Sequence, residues 1–248
     1  MSFNNIEVED MDVARVISIR KENKLNLLDL ETLREIRQAV SESQGTVIIS
    51  GSEKSFSAGA NLKFFDGISP ESAYHFSTEG HDIMDFIAGF EHIVIAAINN
   101  FALGGGFELA LACDFRIANG TAKIGLTEAT LGIIPGWGGT QRLKELVGPS
   151  RALMLASLGK TISGEEAHRM GIIDQLSDHP LEAANELAGL YSKMPGKAVG
   201  LIKGLMRSRN SDPYEDEKES FGKVFETEDS REGVRAFLEK RKPNFKNR

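Results

Sequence analysis

Short runs of apolar, β-branched residues alternate with amphipathic stretches over the first two-thirds of the chain. Residues 13–19 (VARVISI) read as a strand. From residue 29 to 40, Leu30, Leu33, Ile36 and Val40 recur at helical spacing and predict an amphipathic helix. Residues 46–50 (TVIIS) form a short apolar run ending at Gly51, the pattern of a buried strand. Ser69-Pro70-Glu71 is a helix start, and that helix runs to about Gly89. Residues 93–98 are a further β-branched strand, and residues 115–118 and 172–175 are weaker candidates. Ser163-Gly164-Glu165-Glu166 has capping-box spacing, with Gly171 as the stop of its helix. Alternation of this kind predicts an α/β domain. Beyond residue 180 the strand pattern ends and three or four helical stretches follow. The division falls near 190: residues 1–190 as an α/β core, residues 191–248 as a helical part.

Composition narrows the class. With 248 residues, 41% hydrophobic and 26% charged, the chain can bury a sizeable core and resembles ordinary globular proteins. Its net charge of -7 argues against nucleic-acid binding, which needs clustered Lys and Arg. A local basic patch for a phosphorylated ligand is still compatible with that balance. The single cysteine, Cys113, has no disulfide partner and reads as a buried thiol in the run LALAC. The polar, acidic opening MSFNNIEVED is unlike a targeting peptide, and no apolar stretch approaches the ~20 residues of a membrane span. A cytoplasmic protein without membrane association is expected.

Glycine is frequent, so phosphate-binding patterns need testing. Gly159-Lys160-Thr161 ends like a P-loop, but Met154 stands at the required earlier glycine. Gly136-x-Gly138 lacks the third glycine of a dinucleotide fingerprint, since Gln141 occupies it. No serine is flanked by glycines two residues away on both sides, and the five histidines lack metal-ligand spacing.

Two glycine-rich loops remain. Residues 56–62 (FSAGANL) follow a buried strand, and their small side chains would let backbone N–H groups approach a ligand. An ordinary strand-to-helix turn has the same composition. Residues 103–110 (LGGGFELA) place three glycines before a helix, whose open N–H groups suit an anion or a developing oxyanion. Glu108 sits just inside that helix among Phe107, Leu109 and Leu111, where burial of a carboxylate is costly. It reads either as a catalytic group or as a first-turn glutamate favoured by the helix dipole. Glu128, in LTEA ahead of the loop PGWGG, is likewise a helix-start carboxylate or the second half of an acid–base pair.

The blocks SFSAGANLK, FALGGGFELALACDFRIA, IGLTEATLGIIPGWGGTQRL, ISGEEAHRMGIID and REGVRAFLEKRKPNFK, in this order, resemble the enoyl-CoA hydratases of the crotonase family. The likeness spans nearly the whole chain, and the ordered set carries it rather than any one motif. It implies a spiral of repeated ββα units followed by helices used in trimer assembly, in homotrimers or hexamers made of two trimers. It implies an acyl-CoA substrate, an oxyanion hole from the N–H groups of Ala60 and Gly105, and catalytic glutamates at Glu108 and Glu128. Gly136 matches a position beside the catalytic water. Lys54, Ala58, Ala60 and Leu62 match coenzyme A contacts, with Phe237 and Lys240 supplied by the C-terminal helix. No metal or redox cofactor is implied; coenzyme A travels with the substrate.

Three departures stand out. Asn61 replaces a common Asp, Trp137 is far bulkier than the small residue usual between its glycines and would narrow the acyl pocket, and the segment from 26 to 46 is short. Near the C-terminus Val234, Phe237 and Leu238 form an apolar stripe beside Arg235, Lys240, Arg241 and Lys242. Spacing alone fits a docked terminal helix with a solvated basic end. The alternative activities are a Δ3,Δ2-enoyl-CoA isomerase, which needs one base, or another acyl-CoA crotonase. The non-enzyme alternative is an acyl-CoA- or RNA-binding scaffold.

Overall fold

The computed structural model describes residues 3–21, 25–52, 54–208 and 210–247. Strand β1 (Ile6–Asp10) turns back as β2 (Arg15–Ile19), pairing antiparallel from Ile6 with Ile19 to Asp10 with Arg15. Parallel strands β3 (Val47–Ser50), β4 (Val94–Ile98), β6 (Phe115–Ala118) and β9 (Gln175–Leu176) extend the sheet in the order β1-β2-β3-β4-β6-β9. Every residue of β3 and β4 is buried, which explains their unbroken apolar sequences. Alternate residues serve opposite faces. Val47, Ile49, Val94, Ala96 and Ile98 join one core with α1 (Leu30–Ser41), α2 (Pro70–Gly89) and α3 (Gly105–Ala112). Ile48, Ile95 and Ala97 join the other, beneath Ala183, Ala184 and Ala188 of α7 (Pro180–Tyr191).

A second sheet consists of β5 (Phe101–Leu103), β7 (Lys123–Gly125) and β8 (Ile162–Ser163). Single bridges from Leu28 to Ala60 and from Ser57 to Ala102 prolong it toward earlier turns of chain. The chain therefore repeats one movement: a strand in the large sheet, a short strand in the small one, then a helix. β4–β5–α3 is the clearest unit, and this is the expected ββα spiral. Several of its helices start at side-chain caps: Asp29 accepts from Thr32 N (2.9 Å), Ser69 from Ser72 N (3.1 Å) and Ser163 from Glu166 N (3.1 Å), the last opening α6 (Gly164–Arg169).

One expected strand moves. Residues 172–174 are bent, and the strand is β9, because Arg116 takes their polar groups: its Nε donates to Ile172 O and its N–H to Asp174 Oδ2. Ile172 and Ile173 are apolar because they plug the core.

Helices α4 (Gly139–Val147) and α5 (Pro149–Ser157) follow β7, and α8 (Gly196–Arg207), α9 (Pro213–Val224) and α10 (Glu228–Leu238) close the chain. α8 is tied to the core through half-buried Asp114, which pairs with Lys203 (2.7 Å) and Arg207 (2.9 Å). The apolar stripe on α10 does not dock: Val234, Phe237 and Leu238 are exposed, while Ala236 and Asp229 are buried. The tail folds back on α10, with Asp229 accepting from the N–H groups of Lys246 and Asn247. Among the described residues no helix is long and apolar enough to cross a membrane.

Candidate active site

The spiral brings the two glycine loops face to face. The first is braced by Asn26, a buried residue in the left-handed region (φ 51°) that the sequence pattern did not single out. Its Nδ2 donates to Ser55 O (2.9 Å) and its own carbonyl accepts from Ser57 Oγ (2.8 Å). Gly59 (φ 106°) is where the loops touch: a side-chain carbon there would lie 2.9 Å from Leu103 O and 3.5 Å from Gly105 N. Only glycine satisfies both that angle and that approach. Across the gap Gly104, at φ 50°, turns the chain from β5 into α3. Among the described residues, neither Ala60 N–H nor Gly105 N–H has a hydrogen-bond acceptor. Two unpaired donors on adjoining loops are of the kind that suits an oxyanion.

Glu108, on the first turn of α3, is 2% exposed. Its Oε1 accepts from the N–H groups of Trp137 and Gly139, both at 2.8 Å, so the start of α4 solvates one carboxylate oxygen and leaves the other for chemistry. Burial, and then the charge of Glu128, push its pKa up to about 7, against the pull of those two N–H groups and of Arg142. Glu128 opens a short 3₁₀ helix, Glu128–Leu131, and leans on the α3 turn: a side-chain carbon on Gly104 would lie 3.1 Å from its Oε1. Burial raises its proton affinity too, and its Oε2 is buried without a hydrogen-bond partner. Two such carboxylates resist double ionisation, which favours a form with one proton on the pair.

Folding raises the Glu108 pKa from 4.5 to about 7, so its contribution is fully present below pH 4.5 and is lost as pH rises through about 7. The shift corresponds to about 3 kcal/mol. Glu108→Gln cannot ionise and retains an acceptor for both N–H groups. Its melting temperature is expected to exceed that of the native protein by several degrees at pH 8 and to match it at pH 4, as read by calorimetry.

Other parts of the block PGWGGTQRL hold the carboxylate in place. Arg142 is nearly buried, donates to Trp137 O (2.8 Å) and pairs with Asp85, fixing the loop whose N–H groups reach Glu108. Gly136 O accepts from Ser77 Oγ (2.6 Å), and the space beside Gly136 that a side chain would fill is open. The Trp137 indole is 1% exposed and packs between α2 and α3. Arg142, Ser77 and Asn26 were missed from sequence; their partners lie up to 59 residues away, beyond any local signal.

Of the expected coenzyme A positions, Ala58, Ala60 and Leu62 lie on the first loop, the alanines half-buried and Leu62 exposed, and Lys54 is exposed just before it. Asn61 Oδ1 accepts from Lys63 N (3.2 Å) and caps the 3₁₀ helix Leu62–Phe65, a task for which a carboxylate and an amide oxygen both serve. Phe64 and Phe65 cluster with Phe76. Phe237 and Lys240 are not gathered with this set. Both are exposed, on and just beyond α10, which packs only slightly on the other elements. Arg241 is also committed elsewhere, paired with Glu232 (2.6 Å) and Glu239 (2.7 Å).

The chain is 40% identical to a crotonyl-CoA hydratase of Syntrophomonas wolfei, over 99% of both chains. It is 36% identical to a short-chain-enoyl-CoA hydratase of Clostridium acetobutylicum over the full length of both. A crystal structure of an enoyl-CoA hydratase from Bacillus anthracis superposes with a TM-score of 0.90 at 38% identity, covering 99% of this chain and 100% of that one. The sequence model for enoyl-CoA hydratase/isomerase matches residues 11–248. The chain belongs to the enoyl-CoA hydratase/isomerase family.

Proposed function

We propose that this chain is an enoyl-CoA hydratase, adding water reversibly across the 2,3 double bond of a 2-enoyl-CoA to give a 3-hydroxyacyl-CoA. The observation that carries the reading is a buried and a half-buried carboxylate, both of raised proton affinity, beside two unpaired backbone donors. The thioester oxygen accepts from Ala60 N–H and Gly105 N–H, which stabilise the enolate as it forms. Glu108 takes a proton from a water next to Gly136 as its oxygen bonds to C3. Glu128, protonated in the reactive form, gives its proton to C2, and the proton that Glu108 took from water then passes to Glu128, so the pair again carries one proton on Glu128. In the reverse direction Glu128 removes the C2 proton. The reaction draws on no metal or redox group, and coenzyme A arrives with the substrate. An isomerase needs only Glu128, so the buried, hydrogen-bonded Glu108 favours hydration. Incubation with crotonyl-CoA tests this: the conjugated-thioester absorbance is expected to fall as 3-hydroxybutyryl-CoA appears. Unchanged crotonyl-CoA, or 3-enoyl-CoA as the product, would contradict it.

Lys54, Ala58 and Leu62 are assigned to the coenzyme A path. Residues 191–248 are assigned to assembly into homotrimers or hexamers, where Phe237 and Lys240 reach the nucleotide end of coenzyme A in a neighbouring copy. Met206, Tyr214, Phe221, Phe237 and Leu238 are each two-thirds or more exposed, an apolar surface that suits contact with other copies of the chain. A single, buried cysteine suits the cytoplasm. Lys240→Ala is expected to raise KM for crotonyl-CoA several-fold and leave KM for crotonyl-pantetheine, which lacks the nucleotide, unchanged. Equal effects on both would give the residue a structural role only.

A further inference from the structure

We propose that the Trp137 indole is the stop of the acyl channel and limits the enzyme to acyl chains of about four carbons; the inference rests on the hydratase reading above. The indole spans the gap between two helices. On one side a side-chain carbon at Gly80 of α2 would lie 2.0 Å from Trp137 Nε1; on the other, one at Gly105 of α3 would lie 2.5 Å from Cζ3. Both helices present glycine because the ring occupies the space of their side chains.

The placement is tied to the chemistry at both ends. The Trp137 backbone N–H donates to Glu108 Oε1 (2.8 Å), so the side chain starts at the carboxylate assigned to water. Its far edge ends against Gly105, whose N–H is assigned to the thioester oxygen. A substrate held at that N–H with C3 at Glu108 meets the indole from C4 onward. Behind the ring stands an aromatic column: Phe76 with its centroid 5.2 Å away, then Phe64 stacked on Phe76 at 4.6 Å, with Phe65 edge-on to Phe76 at 5.2 Å. The column joins α2 to the 3₁₀ helix Leu62–Phe65, so a longer chain meets packed aromatic rings behind the tryptophan before the outer hollow lined by Leu28, Asn61, Phe64 and Phe76. Trp137 Nε1–H is buried without a hydrogen-bond partner, a cost that a wholly apolar side chain would avoid. Tryptophan supplies the width that bridges both glycines.

The test measures kcat/KM on 2-enoyl-CoA thioesters of four, six, eight and ten carbons. For the native protein the value is expected to fall at least ~10-fold between four and eight carbons, since each misplaced methylene costs roughly 10-fold or more. Trp137→Ala and Trp137→Leu are expected to raise the eight-to-four ratio by at least ~10-fold. Trp137→Leu, the milder change, guards against loss of fold, and the native profile is informative by itself. A flat native profile, or variants that alter every chain length by one common factor, would overturn the inference while leaving the hydratase reading intact. No hydration at any chain length would overturn that reading, and this inference with it.

Discussion

Glu108→Gln and Glu128→Gln are each expected to slow hydration of crotonyl-CoA by about 10²–10⁴-fold while leaving the fold intact. At Glu108 the amide oxygen can still accept from Trp137 N and Gly139 N, so the loop keeps its anchor. The group that replaces Oε2 cannot take a proton from water. At Glu128 the buried, unpartnered oxygen becomes an amide that cannot deliver a proton to C2. The two losses should differ in kind. Glu108→Gln keeps the group that works at C2, so residual 3-enoyl to 2-enoyl isomerisation is expected there and none in Glu128→Gln. Steady-state assays with crotonyl-CoA and a 3-enoyl-CoA, with circular dichroism to verify folding, read both outcomes.

Gly105→Pro is expected to lower kcat by about 10²–10³-fold, the usual cost of one oxyanion donor. Proline is tolerated at the first position of a helix, where Gly105 stands, and it removes the N–H that has no acceptor in the protein. Its ring also crowds the Trp137 indole, as any side chain at this position must. Gly105→Ala separates the two effects, because it crowds the indole yet retains the donor. The expected pattern is a large kcat loss in Gly105→Pro alone, with affinity for an unreactive acyl-CoA falling by a similar, smaller factor in both variants. Equal losses of binding and turnover in Gly105→Pro would remove the transition-state role.

Much of the fold was legible because the strands that matter most are buried on both faces. VIIS and VIAAI could only be apolar, and Asp29, Ser69 and Ser163 are side-chain caps at helix starts. Strands β5, β7 and β8 were missed, since two or three residues carry no readable period and the small sheet exists only through pairing between distant turns. β1 was missed because three of the five residues in its sequence, IEVED, are acidic and it lies at a sheet edge. In the site, Glu108 was conspicuous as a carboxylate in an apolar helix. Glu128 was ambiguous until the structure set it against Gly104. Asn26 and Arg142 act through backbone groups far along the chain, a role that composition and spacing do not encode. The C-terminal stripe was correctly seen as apolar, but the sequence does not say whether such a face meets its own chain or another; here it faces outward.

On the proposed mechanism Glu108 and Glu128 act as one unit on one substrate. The most direct measurement compares single-turnover hydration of crotonyl-CoA by Glu108→Gln, Glu128→Gln and the doubly substituted protein. Groups that serve the same step lose their effect together, so the double variant is expected to be about as slow as the slower single one. Losses that multiply, or a native rate in Glu108→Gln, would contradict the claim.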